Sequence, residues 1–297
     1  MTYLELINKC KNYKDKEFEA FLYLITEITG MSKSNLYLKY NEVIDADLLI
    51  KIEEAINKYA INNIPVQYII GYTYFFGLKV FVNSNVLIPR FETEEVVYEA
   101  TKLFPKDKDL KIIDVCTGSG CIALSLKKHY LNSEVIAIDI SPDALEVAVN
   151  NAKYHSLDIN FLKNDLLDGI TEEFDLIISN PPYIAYDEQV MSLVYDNEPH
   201  LALFSPEGGL YHYKRIIESS KKLLKKGGYI VLEIAYNRRN EMEDLVKQYF
   251  NNYEIKKDNY NNDRIIIIKG DWFETDSYDT DVIYCKYTNR PKFTILQ

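Results

Sequence analysis

The chain has 297 residues, is 47% hydrophobic and 27% charged, and so reads as a globular protein with one large domain or a large and a small one; this composition excludes a disordered chain. A net charge of −11 argues against a protein that grips nucleic acid mainly through phosphates and suits a basic protein partner instead. No apolar run is long enough to span a bilayer, since the longest candidate, residues 20–28, is broken by Glu27, and residues 1–5 show no basic stretch leading into an apolar one, so neither a membrane partner nor a secretory leader is expected.

Residues 1–71 predict a small helical bundle. Phe18, Phe21, Leu22, Ile25 and Ile28 share one helical face that Gly30 terminates. Leu48, Leu49, Ile52, Ala55, Ile56 and Tyr59 stripe a second helix with Asp45 as its cap, and residues 34–40 suggest a short helix between them. The bundle carries no chemistry, so its expected role is substrate recognition or packing. Residues 72–88 alternate with β-prone side chains around Gly77 and Asn83-Ser84-Asn85, which predicts a hairpin linking two domains. Residues 87–94 then open a helix to about Leu103; taken alone, its acidic first turn only complements the helix dipole.

From residue 110 strands and helices alternate, the pattern of a parallel sheet covered on both faces. A strand over 110–115 meets a tight turn over 116–120 and a helix over 121–128. A second strand ends at Asp139, before Ser141-Pro142-Asp143, a capping serine followed by a proline suited to the first helical position. A third strand covers 160–162 and a fourth leads to Asn180. A helix running to Lys225 follows a loop over 184–207, and Gly227-Gly228 is read as a turn into a strand over 229–235. A further helix near 241–249 and two strands near 253–256 and 263–269 complete the domain over 89–270. Residues 271–297 form an extension with Trp272 and a β-prone stretch at 282–287, for which no function is read.

The four cysteines, Cys10, Cys116, Cys121 and Cys285, make no Cys-x-x-Cys pair, which suits a reducing cytoplasm and offers no zinc pattern. His129, His155, His200 and His212 do not cluster, and no metal is expected.

Chemistry concentrates at two strand ends. Leu176 to Ile178 is an apolar run stopped by Asn180-Pro181-Pro182-Tyr183, whose prolines forbid further strand or helix and so fix an amide, two carbonyls and an aromatic ring at the sheet edge where ligands bind. Gly118 and Gly120 stand where a strand turns into a helix and let a ligand approach the backbone, while Asp139, ending the neighbouring strand, suits ribose hydroxyls. Gly118-x-Gly120-x-x-Ala123 also fits a dinucleotide fingerprint, so a nicotinamide enzyme is considered; no acid, base or hydride site accompanies it, and the combination favours a methyltransferase.

Asn180-Pro181-Pro182-Tyr183 resembles the motif of methyltransferases acting on planar nitrogens. Together with residues 65–71, 87–94, 114–123, 135–145, 174–184, Glu198-Pro199 with Leu203, Leu232-Glu233-Ile234 and Asp263-Arg264, it is similar to the family that N5-methylates the glutamine of peptide-chain release factors. The resemblance covers about residues 1–270. It implies a helical bundle, a hairpin linker and a Rossmann-like seven-stranded α/β domain with an antiparallel last strand. It implies that S-adenosylmethionine contacts Cys116, Thr117, Gly118, Ser119, Gly120, Asp139, Leu166 and Asn180, with S-adenosylhomocysteine as product. It places the glutamine against Asn180, Pro181, Pro182 and Tyr183. On this reading the Asn180 side-chain oxygen and the Pro181 carbonyl accept the two amide N–H bonds, and Tyr183 packs on the amide plane. Two departures stand out: Cys116 replaces a usual glycine, which costs about 1 kcal/mol or more if its φ is positive, and Phe91 replaces a usual proline, which loosens the linker. Release factors are the implied partners, in the cytoplasm, with nucleic acid not expected as substrate. The same motif also serves exocyclic amino groups of adenine or guanine, so methylation of RNA or DNA stays open, as do methylation of a ribosomal-protein glutamine and a silent cofactor-binding module.

Overall fold

A computed structural model describes residues 1–270; the extension with Trp272, Cys285 and the 282–287 segment lies outside the described residues. The first 71 residues form α1 (Tyr3–Cys10), α2 (Phe18–Thr29), α3 (Lys33–Leu38), α4 (Ala46–Ala60) and α5 (Val66–Ile70). Local signals start and stop them. Thr2 and Glu5 form a reciprocal capping box at α1, and the Asp45 carboxylate accepts the N–H groups of Asp47 and Leu48 at the start of α4. Gly30 ends α2 at φ +69°. The apolar stripes meet in one core where Leu6, Phe21, Ile25, Ile52 and Ile56 are fully buried.

β1 (Tyr72–Phe75) and β2 (Leu78–Phe81) form the expected hairpin, closed by Phe76 and Gly77, both at positive φ as a two-residue turn between twisted strands requires. It is shorter than the sequence suggests, and it is not a free link. Phe75, Leu78 and Val80, with Val82 and Val86 beyond it, are buried in the core of the sheet domain.

That domain begins with α6 (Phe91–Thr101) and continues through β3 (Lys111–Val115), α7 (Cys121–His129), β4 (Glu134–Asp139), α8 (Pro142–His155), β5 (Asn160–Lys163), β6 (Phe174–Ser179), α9 (Ser192–Tyr195), α10 (Tyr211–Leu223), β7 (Leu224–Glu233), α11 (Arg239–Val246), β8 (Tyr253–Lys257) and β9 (Asp263–Lys269). The seven strands lie in the order β5-β4-β3-β6-β7-β9-β8; β5 to β7 are parallel and β9 is antiparallel to both neighbours. β6 is apolar on both faces because both are covered: Leu176 and Ile178 join the core that includes residues of α6, α7, α8 and the hairpin, while Phe174 and Ile177 join the core that includes residues of α10 and α11. The chain leaves β3 toward β4, then returns to place β6 on its other side, so a crevice opens at the carboxyl ends of β3 and β6.

One local expectation is corrected. Gly227-Gly228 does not precede a strand; it lies within β7, which ends at Glu233 rather than at residue 235. Gly227 has φ +76° and the pairing with β6 shifts register between Phe174 and Leu176, the signature of a bulge. A Cβ on Gly228 would stand 2.9 Å from the Asp175 carbonyl oxygen, so close strand approach demands the glycine.

Candidate active site

The floor of the crevice is built from three strand ends. At the end of β3, Asp114 is wholly buried; its Oδ2 accepts the Thr117 hydroxyl at 2.5 Å and the Ala123 N–H at 3.1 Å, which folds residues 116–120 into a tight loop over it. Burial pushes the Asp114 carboxyl up to about 7, and its Oδ1 has no hydrogen-bond partner among the described residues. At the end of β4, Asp139 accepts the N–H of Gly118 through Oδ2 and that of Ser141 through Oδ1, each at 2.9 Å. Burial raises its carboxyl against those two bonds. At the end of β6, the Ser179 hydroxyl donates to the Val115 carbonyl and locks the motif strand to β3.

Backbone strain gathers here. Cys116 at φ +61° and Leu166 at φ +50° are left-handed without being glycine, and both line the crevice. The positive φ on which the cost of Cys116 depends is therefore present. Burial also raises its thiol well above the ordinary range.

Cys116, Thr117, Gly118, Ser119, Asp139, Leu166, Asn180 and Pro182 line one cleft with an empty volume of about 1020 Å³, counting its open mouth. Gly120, Pro181 and Tyr183 are not among its lining residues. Gly118 at φ +55° and Gly120 at φ +82° both suit glycine by conformation; a Cβ on Gly120 would also come 3.1 Å from the Ala148 Cβ, where α7 packs on α8, whereas one on Gly118 would meet nothing within 4 Å.

Residues that the sequence presents only as parts of longer motifs prove to hold the site together. Asn180 Nδ2 donates to Thr93 Oγ1 at 3.0 Å; the Thr93 hydroxyl donates to Glu233 Oε2 at 2.6 Å; the Tyr183 hydroxyl donates to Glu233 Oε1 at 3.2 Å. The Glu233 side chain is buried, which raises its carboxyl, while the Thr93 bond and the charge of Arg264 oppose that rise. Asn180 Oδ1 and the Pro181 carbonyl accept no hydrogen bond from any described residue. Above them, Glu198 accepts the Ile88 N–H at 3.1 Å and an Arg90 guanidinium N–H at 2.6 Å, tying the chain before α6 to the segment after the motif. Gly209 packs under that motif so closely that a Cβ would lie 2.3 Å from the Tyr183 carbonyl oxygen. Sequence reasoning does not single out Thr93, Glu233 or Gly209 as site residues; the available signals are the polar Thr93 in an otherwise acidic first turn and a carboxylate closing the apolar run of β7.

A loop open at Gly118 and the Asp139 carboxylate ending the next strand suit a nucleoside-derived ligand in the crevice of this sheet, the arrangement of an S-adenosylmethionine-dependent methyltransferase. Residues 98–201 match the Methyltransferase small domain model, and residues 9–71 match the PrmC N-terminal domain model. A release factor glutamine methyltransferase from Flavobacterium psychrophilum is 40% identical over 86% of this chain and 92% of its own length, and one from Bacillus subtilis is 36% identical over 84% and 91%. The chain belongs to the release factor glutamine methyltransferase family. Among solved structures, a methyltransferase from Pyrococcus furiosus superimposes with a TM-score of 0.51 at 16% identity, covering 76% of this chain and 98% of that one, a likeness of fold alone.

Proposed function

We propose that the chain transfers a methyl group from S-adenosylmethionine to the side-chain N5 of the glutamine in the Gly-Gly-Gln motif of peptide-chain release factors, in the cytoplasm. Family membership supports the reaction. The observation that carries its geometry is the free Asn180 Oδ1 in a cleft where the other end of the same amide is held by Thr93.

When bound, S-adenosylmethionine supplies an electrophilic methyl group on a sulfonium. Cys116 to Ser119, Asp139 and Leu166 would hold it. A carboxamide nitrogen is a poor nucleophile because its lone pair is delocalised into the carbonyl. Asn180 Oδ1 and the Pro181 carbonyl would accept its two N–H bonds and aim the lone pair into the cleft. As positive charge grows on that nitrogen, these preorganised oxygens bind it more strongly than the ground state. Tyr183, anchored through its hydroxyl to Glu233, would form a firm wall beside the motif. Residues 1–71 would recognise the protein substrate, with the hairpin region 72–88 joining them to the methyltransferase domain of residues 89–270. The acidic chain suits a basic partner. No helix among the described residues is long and apolar enough to cross a membrane.

The test is mass spectrometry of purified, unmethylated release factor after incubation with this protein and S-adenosylmethionine. One added methyl on the Gly-Gly-Gln glutamine is the expected result. Cofactor binding with no methyl there would redirect the assignment to a ribosomal-protein glutamine or to adenine and guanine amino groups.

A further inference from the structure

We propose that Thr93 and Glu233 are positioning residues that set the polarity of Asn180, deciding which end of its amide faces the substrate; the inference rests on the methyl-transfer reading above.

An asparagine side chain has two orientations of nearly equal shape, related by a half-turn about its last bond. Only one offers an acceptor to a substrate N–H. In the other, an NH₂ group would meet the substrate NH₂, donor against donor. Shape alone does not choose between them, so hydrogen bonding must.

The choice is made two bonds away. In its ionised form Glu233 only accepts, and the Thr93 hydroxyl donates to it at 2.6 Å in heavy-atom distance. What Thr93 then presents to Asn180 is a lone pair. Only the NH₂ end of Asn180 can meet it, as it does at 3.0 Å, and Oδ1 is left for the cleft. Glu233 is itself held in place. Tyr183 donates to its other oxygen, and Tyr213 donates to its backbone carbonyl at 2.9 Å. Burial and nearby Glu92 raise the Glu233 carboxyl, and the positive charge of Arg264, paired with Asp258 at 3.2 Å, opposes that rise. One carboxylate is therefore linked to both ends of the Asn180-Pro181-Pro182-Tyr183 motif, to Tyr183 directly and to Asn180 through Thr93. Thr93, Asn180 and Glu233 come from α6, the end of β6 and the end of β7, so this relay exists only in the assembled fold.

The test is a double-variant cycle on the full chain, read as release-factor methylation, with S-adenosylhomocysteine affinity measured in parallel. Thr93→Val keeps the shape and removes the oxygen; turnover should fall by roughly 10-fold or more, within reach of the effect of losing one preorganised contact. Thr93→Ser should restore turnover to within about 2-fold, and S-adenosylhomocysteine affinity should stay within about 2-fold between the Thr93 variants in a given background. In an Asn180→Ala background, Thr93→Val should cost nothing further, because its effect passes through Asn180. Equal losses in both backgrounds, or full turnover by Thr93→Val, would overturn the proposal. Thr93→Ala is carried through the same cycle, so poor folding of one variant does not decide the outcome.

A second readout needs no substrate. The side-chain NH₂ of Asn180, assigned in ¹⁵N spectra by its loss in Asn180→Ala, should show one slowly exchanging proton in the unaltered protein and in Thr93→Ser, and fast exchange in Thr93→Val. Fast exchange of both protons in the unaltered protein would overturn the relay. An unaltered chain that leaves release factor unmethylated would refute the substrate reading instead, and the exchange comparison would then decide the polarity by itself.

Discussion

Asn151 on α8 pairs with the backbone of Phe81 on β2 through both ends of its amide: Oδ1 accepts the Phe81 N–H at 2.8 Å and Nδ2 donates to the Phe81 carbonyl at 3.0 Å. The same nitrogen donates to the Ser119 carbonyl at 2.9 Å. A fully buried side chain thus stands in for a strand partner at the hairpin edge and braces the loop over residues 116–120 as well. This explains why the hairpin is part of the catalytic body rather than a loose connector.

Replacing Asn151 by Leu should destabilise the protein by about 2–4 kcal/mol, since it leaves an N–H and two carbonyls short of a partner in a largely dry setting. Cofactor affinity should fall with it, because Ser119 loses its brace. Urea denaturation and a cofactor titration check both; an unchanged midpoint would show that water replaces the amide without cost.

Cys116 at φ +61° carries a Cβ in a left-handed conformation. A glycine there relieves about 1–2 kcal/mol of strain but restores about 0.5–1 kcal/mol of unfolded-chain freedom, so Cys116→Gly should be neutral to slightly stabilising. Cys116→Val, branched at Cβ, should lower the melting temperature clearly. Thermal scans of the three forms rank them, and a valine variant as stable as the cysteine would contradict the strain.

Glu198 keeps only 2% of its side chain exposed and relies on Arg90, which keeps 32%. Removing the guanidinium in Arg90→Met leaves a buried carboxylate supported by the Ile88 N–H without its counter-charge, at a cost on the order of 3 kcal/mol. The loss should appear locally, as faster hydrogen exchange in residues 184–207. Exchange that stays as slow as in the parent would mean that the pair does not hold this segment.

Asp114, raised to about 7 mainly by burial, titrates near neutrality in the unliganded protein. A cationic ligand lowers that value, so S-adenosylmethionine binding should release protons near neutrality. Its affinity should rise as pH increases through about 7, then level off. The sign for folding is opposite: a carboxyl raised above its unfolded value stabilises the unliganded fold at low pH, and this contribution is lost as pH rises through about 7. Calorimetry in two buffers of different ionisation heat measures the proton release. Asp114→Asn should abolish it; persistent release in that variant would assign the proton to another group.

Much of the site was legible because buried parallel strands leave a plain trace. Leu176 to Ile178 had to be a covered strand, and a polar residue followed by two prolines had to end it. Asp139 closed its strand just ahead of the Ser141-Pro142 helix start, and Asp45 and Gly30 bounded their helices through local hydrogen bonds and φ preference. Misreadings arose where two local explanations share one residue type. Gly227-Gly228 fits a turn or a bulge equally well, and only the register against β6 distinguishes them. Gly120 has reasons to be glycine beyond ligand approach, its φ of +82° and the nearness of Ala148, and the second is visible only in the fold. Tyr183, expected against the substrate amide, has its hydroxyl on Glu233 and does not line the cleft.

By itself, then, the sequence determined the α/β domain with its helical bundle and the strand ends where glycine, carboxylate and amide gather, because apolar periodicity, capping and proline act within a few residues. Only the tertiary structure decided how those residues are oriented. Thr93 reaches Glu233 across 140 positions and Asn180 across 87, and Asn151 reaches Phe81 across 70. A hydrogen bond depends on distances of a few ångströms and on the direction of one proton, and neither is recorded along the chain until the strands have paired.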